Sequence, residues 1–174
     1  MKITAFAGSN SCTSINKQLV KYASSLISNE IEVIDFNDYN IPTYSIDIEK
    51  NEGFSEDVKR FYNQLIGSEI LIISFSEHNA SFTAVLKSYM DWCSRIDPKF
   101  LTNKKIFALS TSPGGYGGRN ALEAGIKLVT RLGGTVVDEF ALPKFNENFS
   151  NGKISNAELD AELKSKIDSF NKHL

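Results

Sequence analysis

Residues 69–75 read Glu-Ile-Leu-Ile-Ile-Ser-Phe, an almost unbroken apolar run. A strand that alternates apolar and polar residues can leave one face in water; this one cannot, so both faces must be covered. That condition points to the centre of a parallel sheet with helices on either side. Shorter apolar runs at 3–7 and 105–110 read as further strands, 135–142 as a last strand region, and 30–35, which alternates apolar and acidic residues, as one nearer an edge. Helical spacing recurs between them. Ile15, Leu19, Ala23, Leu26 and Ile27 share a face, as do Val58, Phe61, Tyr62 and Leu65 between a capping Ser55 and a terminating Gly67. Phe82, Val85, Leu86, Tyr89, Met90 and Cys93 mark a third stripe, Ala121 to Val129 a fourth, and Leu159, Leu163, Ile167 and Phe170 a fifth within 155–174. Residues 36–54 have no clear period and carry Pro42 and Gly53, which predicts a long connection able to wall a pocket or meet a partner.

Five strands alternating with helices predict an α/β fold: a three-layer, doubly wound, five-stranded parallel sheet formed by one domain spanning 1–174, and the order taken for it is 2-1-3-4-5, one of the common doubly wound orders. Ligands in such sheets bind beyond the carboxyl ends of the strands, where the strand order reverses. Three polar loops fall at that edge. The first, Gly8 to Ser14, is crowded with hydroxyls and leads into a helix, whose unpaired N–H groups and dipole favour an anion such as a phosphate. An ordinary serine cap would give the same pattern. The second, Ser76 to Ser81, supplies a carboxylate, an imidazole and an amide. The third, Thr111 to Gly118, places four glycines around Tyr116, so that backbone can approach a flat ligand.

Several chemistries are disfavoured. Neither the triphosphate-binding pattern G-x-x-x-x-G-K-[ST] nor the dinucleotide fingerprint G-x-G-x-x-G is present. Glu77 and His78 are too few for a zinc site, the second histidine being the remote His173, so no metal is expected. A net charge of −2 gives no basic field for nucleic acid. Cys12 and Cys93 are too few for a disulfide framework and suit reduced thiols, and no apolar run approaches a membrane span; the expected location is the cytoplasm. Cys93 falls on an apolar helical stripe and Trp92 off it, which leaves Trp92 either packed on a second subunit or simply half-exposed.

The chain resembles the NADPH-dependent FMN reductase family, the flavodoxin-like group that includes quinone, chromate and azo-dye reductases. Gly8-Ser9-Asn10-Ser11-Cys12-Thr13-Ser14-Ile15-Asn16 with Leu19 is similar to its G-S-x-R-x-x-S-x-N-x-x-L. Ser74 to Asn79, Leu86-Lys87 and Asp91-Trp92-Cys93-Ser94-Arg95 are similar to S-x-P-E-Y-N, L-K-N and D-W-x-S-R, and Ser110 to Gly115 to the third loop. The resemblance implies that Ser9, Ser11, Ser14 and Asn16, beside Ile15, surround the phosphate of flavin mononucleotide (FMN). Glu77, His78 and Asn79, preceded by Ser76, would follow its ring and ribityl chain, with Ser112, Gly114 and Gly115 approaching from the other side. Ser11 replaces the motif's arginine, so a charge partner for the phosphate is missing. Ser76 and His78 replace its proline and tyrosine.

The activity so implied is an FMN-dependent NAD(P)H oxidoreductase. Hydride would pass from NADPH or NADH to the flavin and on to a small acceptor such as a quinone, a nitro or azo compound, a metal oxyanion or free flavin. His78 is the candidate catalytic group, acting by position. The resemblance also implies a homodimer or homotetramer joined through the helix bearing Tyr89 and Trp92. A flavodoxin-type electron carrier and a non-enzymatic flavin-binding or regulatory module are the alternatives.

Overall fold

A computed structural model describes residues 2–28 and 30–172; His173 and Leu174, read above as the end of the last helix, lie outside the described residues. The sheet strands are β1 (Ile3–Ala7), β2 (Glu32–Ile34), β3 (Ile70–Ser74), β6 (Lys105–Thr111) and β7 (Thr135–Leu142). They form one parallel sheet ordered β2-β1-β3-β6-β7, the flavodoxin-like order expected. Directly after β3 the chain forms a separate small hairpin, β4 (Glu77–His78) and β5 (Ser81–Phe82).

The 69–75 run sits where its composition demands. All five residues of β3 are buried, and they alternate between two cores. Leu71 and Ile73 pack with α3 (Glu56–Ile66), α4 (Ala84–Ile96) and α5 (Arg119–Arg131). Ile70 and Ile72 pack with α1 (Ile15–Ile27) and α7 (Ala157–Asn171). Leu163, Ile167 and Phe170 of α7 are buried, as their spacing required. Ser55 caps α3 by accepting from the Val58 N–H, and Gly67 closes it. A second short hairpin, β8 (Phe149–Ser150) with β9 (Lys153–Ile154), follows the one-turn α6 (Phe145–Asn148).

Two expectations are corrected. Residues 36–54 are more than a connection: they contain a single 3₁₀ turn at Phe36–Asp38 and α2 (Ile46–Glu52). This segment folds back over α4 and buries the residues proposed for subunit contact. Trp92 is 1% exposed, donates its indole N–H to the Pro42 carbonyl (2.9 Å), and packs edge-on against Tyr44 and Phe54. Tyr89 is 2% exposed, and its hydroxyl donates to the Phe36 carbonyl at 3.1 Å. Both aromatics are therefore satisfied within one chain. The segment is pinned by Tyr44 N–H to the Ser88 hydroxyl (2.9 Å), Ser88 to the Pro42 carbonyl (3.0 Å) and the Arg95–Glu49 pair (3.0 Å).

The second polar loop is also not a loop. Residues 77–82 form the β4–β5 hairpin, turned by Asn79 (φ 51°) and Ala80 (φ 60°). Two central residues with positive φ give a turn whose twist matches the flanking strands. Phe82 consequently belongs to β5, and α4 starts at Ala84 behind a Thr83 cap.

Candidate functional site

The carboxyl ends of β1, β3 and β6 lie side by side, with Ala7 opposite Ser74 and Ser74 opposite Leu109. Beyond them lies a cleft of about 230 Å³, lined by Ser9, Ser11, Thr13, Ser14, Ile15, Asn16, Ser76, Glu77, His78, Thr111, Ser112 and Pro113. Three loops far apart in sequence thus meet at one point. Of the residues expected there, Asn79, Gly114 and Gly115 are exposed and stand outside the lining. Thr13, Thr111 and Pro113 line it without having been singled out; they sit inside the same hydroxyl-rich and proline-glycine stretches, which is the only signal the sequence held for them.

The first loop is a ladder of hydroxyls. Ser9 Oγ accepts from the Ser11 N–H (3.1 Å), and Ser11 Oγ from the Thr13 N–H (3.3 Å). Ser14 then caps α1 by accepting from the Lys17 N–H at 3.2 Å. The N–H groups of Ile15 and Asn16 come before the first intrahelical donor, Gln18, whose N–H bonds the Ser14 carbonyl, so the helix offers them, with its positive dipole end, to the cleft. No lysine or arginine lines the cleft. Lys17, in the first turn of α1, is committed to Asp35 at 2.5 Å. Burial pushes the Asp35 carboxyl up, but the bonds from Lys17 and Asn37 outweigh it and hold the group below its usual range.

Asn16 braces the site. Its Oδ1 accepts from the Thr111 N–H (3.0 Å) and the Ser74 hydroxyl (2.8 Å), while Nδ2 donates to the Thr111 carbonyl (3.0 Å). One buried amide therefore ties the start of α1 to the ends of β3 and β6, and three of its four hydrogen-bonding capacities are already used by protein.

Glu77 has a similar double position. It lines the cleft, and its Oε2 accepts from the Ala121 N–H at 3.1 Å. The residue preceding α5 is Gly118, which has no side chain to cap it, so the hairpin supplies the missing acceptor from outside. His78 is exposed on the hairpin at the mouth of the cleft. The third loop is fixed by the Lys144 N–H to the Gly114 carbonyl (2.9 Å) and the Phe145 N–H to the Ser112 carbonyl (3.0 Å).

The glycines of that loop divide by cause. Gly117 has φ +65°, and a Cβ there would lie 3.0 Å from the backbone of Leu142, so the fold itself requires glycine. A Cβ on Gly115 would meet nothing within 4 Å.

Among the described residues, no group of three or more histidine, cysteine, aspartate or glutamate side chains could hold a metal ion. No helix there is long and apolar enough to cross a membrane. Cys12 is exposed and Cys93 buried, both as free thiols, and burial pushes the Cys93 thiol well up.

The chain is similar to known proteins. An NADPH:quinone oxidoreductase of Arabidopsis thaliana is 29% identical over 125 residues, covering 69% of this chain and 62% of that protein. An NAD(P)H-dependent FMN reductase of Pseudomonas aeruginosa is 30% identical over 119 residues, covering 67% and 63%. The matched part thus spans a little under two thirds of each relative's length. The solved structure of FerB, a flavoenzyme NAD(P)H:(acceptor) oxidoreductase from Paracoccus denitrificans, superposes with a TM-score of 0.76 over 99% of this chain and 98% of its own, at 20% identity, a likeness of fold. The sequence model of the NADPH-dependent FMN reductase family matches residues 1–147, a span that contains all three cleft loops, and the chain belongs to that family.

Proposed function

We propose that the chain is an FMN-dependent oxidoreductase that takes hydride from NADPH or NADH and delivers the electrons to a small acceptor: a quinone, a nitro or azo compound, a metal oxyanion or free flavin. The observation that carries this reading is the single cleft in which the hydroxyl ladder of 9–14, the hairpin residues Ser76 to His78 and the loop at 111–113 converge. The donor set fits FMN. Ser9, Ser11, Ser14 and the first N–H groups of α1 would hold the phosphate through neutral donors. Ile15 offers an apolar wall at the same helix start, and Asn16 keeps that start in register with β3 and β6. At about 230 Å³ the cleft is smaller than most sites that enclose a whole cofactor, which suits taking in a polar tail while a planar ring lies at the mouth. Ser76, Glu77, His78 and Asn79 on the hairpin, with Ser112, Gly114 and Gly115 opposite, would flank that ring.

Bound FMN supplies the redox chemistry, accepting hydride from a nicotinamide and releasing electrons to the acceptor. The chain's own residues bind and orient. Glu77 fixes the hairpin against α5, and His78, held at the mouth with its imidazole exposed, is placed to contact whichever substrate enters. No protein acid or base is needed for the hydride step.

The free thiols suit a reducing cytoplasm. If the chain assembles as a homodimer or homotetramer, the contact lies elsewhere than Tyr89 and Trp92, which its own residues 36–54 already cover. The test is titration of the purified chain with FMN, followed by steady-state NADPH oxidation with a quinone present. Binding and turnover are expected, with both lost in Ser14→Glu, which sets a negative charge where the phosphate would sit. FMN binding unchanged in Ser14→Glu would overturn the phosphate assignment.

A further inference from the structure

The hydroxyls around the cleft are accounted for almost without remainder. Ser14 accepts from Lys17 N–H; Ser74 donates to Asn16, Thr83 to the Gly8 carbonyl, Ser110 to the Gly117 carbonyl and Thr111 to the Leu142 carbonyl. Ser76 breaks the pattern. It is 6% exposed, it lines the cleft, and its Oγ has no hydrogen-bond partner. Among the described residues only Ser24 shares that condition, and Ser24 lies within α1 away from the cleft.

A buried hydroxyl left unbonded destabilises a folded protein, because its bonds to water are lost and none replaces them. The Phe75 N–H still donates to the Leu109 carbonyl (2.7 Å), so Ser76 is the first residue beyond the sheet ladder, held on a rigid strand end. The group is therefore not satisfied by the fold.

We propose that the Ser76 hydroxyl is a ligand-binding group, held without a protein partner so that it hydrogen-bonds the ring-and-ribityl part of a bound flavin, at a cost in stability to the ligand-free protein. The phosphate is left to the start of α1, which has its own donors. This assignment rests on the FMN reading above. It predicts effects of opposite sign from one substitution, which a structural hydroxyl would not give.

The experiment compares wild type and Ser76→Ala, stripped of ligand, by thermal melting and by fluorescence titration with FMN and with riboflavin, which lacks the phosphate. Ser76→Ala is expected to melt roughly 2–4 °C higher without ligand. It is expected to bind both flavins roughly three- to ten-fold more weakly, with the FMN-to-riboflavin ratio unchanged. A lower melting temperature, or unchanged affinity for both flavins, would make the hydroxyl structural or idle and overturn the proposal. A loss confined to FMN would overturn it too, by moving the bond to the phosphate. If wild type binds neither flavin, the FMN reading itself falls; if wild type binds and Ser76→Ala matches it, only this inference does.

Discussion

Removing the Asn16 amide tests whether the cleft is built by one brace. Asn16→Ala deletes three hydrogen bonds: those its Oδ1 accepts from the Thr111 N–H and the Ser74 hydroxyl, and the one its Nδ2 donates to the Thr111 carbonyl. Asn16, Ser74 and Thr111 are all buried, so the released backbone groups of Thr111 have no easy route to water. At about 1 kcal/mol for each net bond, the loss is about 3 kcal/mol. For a chain of this size that is roughly 6–12 °C in melting temperature. Asn16→Asp is the sharper variant. It keeps the shape and the two bonds accepted by Oδ1, but turns the donor facing the Thr111 carbonyl into an acceptor, and it should be destabilised at neutral pH and partly relieved in acid as the carboxyl protonates. Urea unfolding of both variants at pH 5 and pH 7 reads these effects directly. An Asn16→Ala protein within about 0.5 kcal/mol of wild type would refute the claim that this amide holds α1 to the sheet edge.

Other positions follow from the same geometry. Gly117→Ala should lose about 2 kcal/mol through its positive φ and the close Leu142 backbone, whereas Gly115→Ala should leave unfolding unchanged and weaken FMN binding; equal effects on stability would show that the two glycines were wrongly separated. Ala80→Gly should stabilise the chain by about 0.5–1 kcal/mol in urea melts, because Ala80 sits at φ 60° with a Cβ that conformation disfavours; a loss would mean the hairpin turn is wrong. Burial, and then the hydrogen bond to Asp160, push the Tyr22 hydroxyl up to about 12. Its folded pKa lies above the ordinary value of 10.0, so its contribution is fully present below pH 10 and disappears as pH rises toward 12; Tyr22→Phe should flatten that part of the stability profile, and an unaltered profile would contradict the pairing.

How much was legible follows from how far each signal reaches along the chain. The buried strands were plain because an apolar run such as 70–74 states its own environment, and alternation with helices made the sheet parallel; the order, one of two common to such sheets, was taken rather than dictated by the alternation. The convergence of three loops followed from that order. The hairpin at 77–82 was hidden because its turn is Asn-Ala, where Asn-Gly would have announced two positive φ values. Helix α2 was hidden because none of its residues is buried, so no apolar stripe marks it; capping by Ser45 and the Glu49–Arg95 pair hold it in place. Trp92 was misread because its partner carbonyl, at Pro42, lies 50 residues away, and the bracing bonds of Asn16 were not foreseen because Thr111 lies 95 residues away. Periodicity reports faces of local elements; it is silent about which distant backbone a polar group will satisfy.

The central claim is that the cleft beyond β1, β3 and β6 binds FMN. Titration of the purified, ligand-stripped chain with FMN, followed by quenching of flavin fluorescence, tests it most directly. Saturable quenching is predicted, and it should be lost in Ser14→Glu while that variant remains folded by circular dichroism. FMN fluorescence that stays proportional to added flavin, in a wild-type chain shown to be folded, would contradict the account.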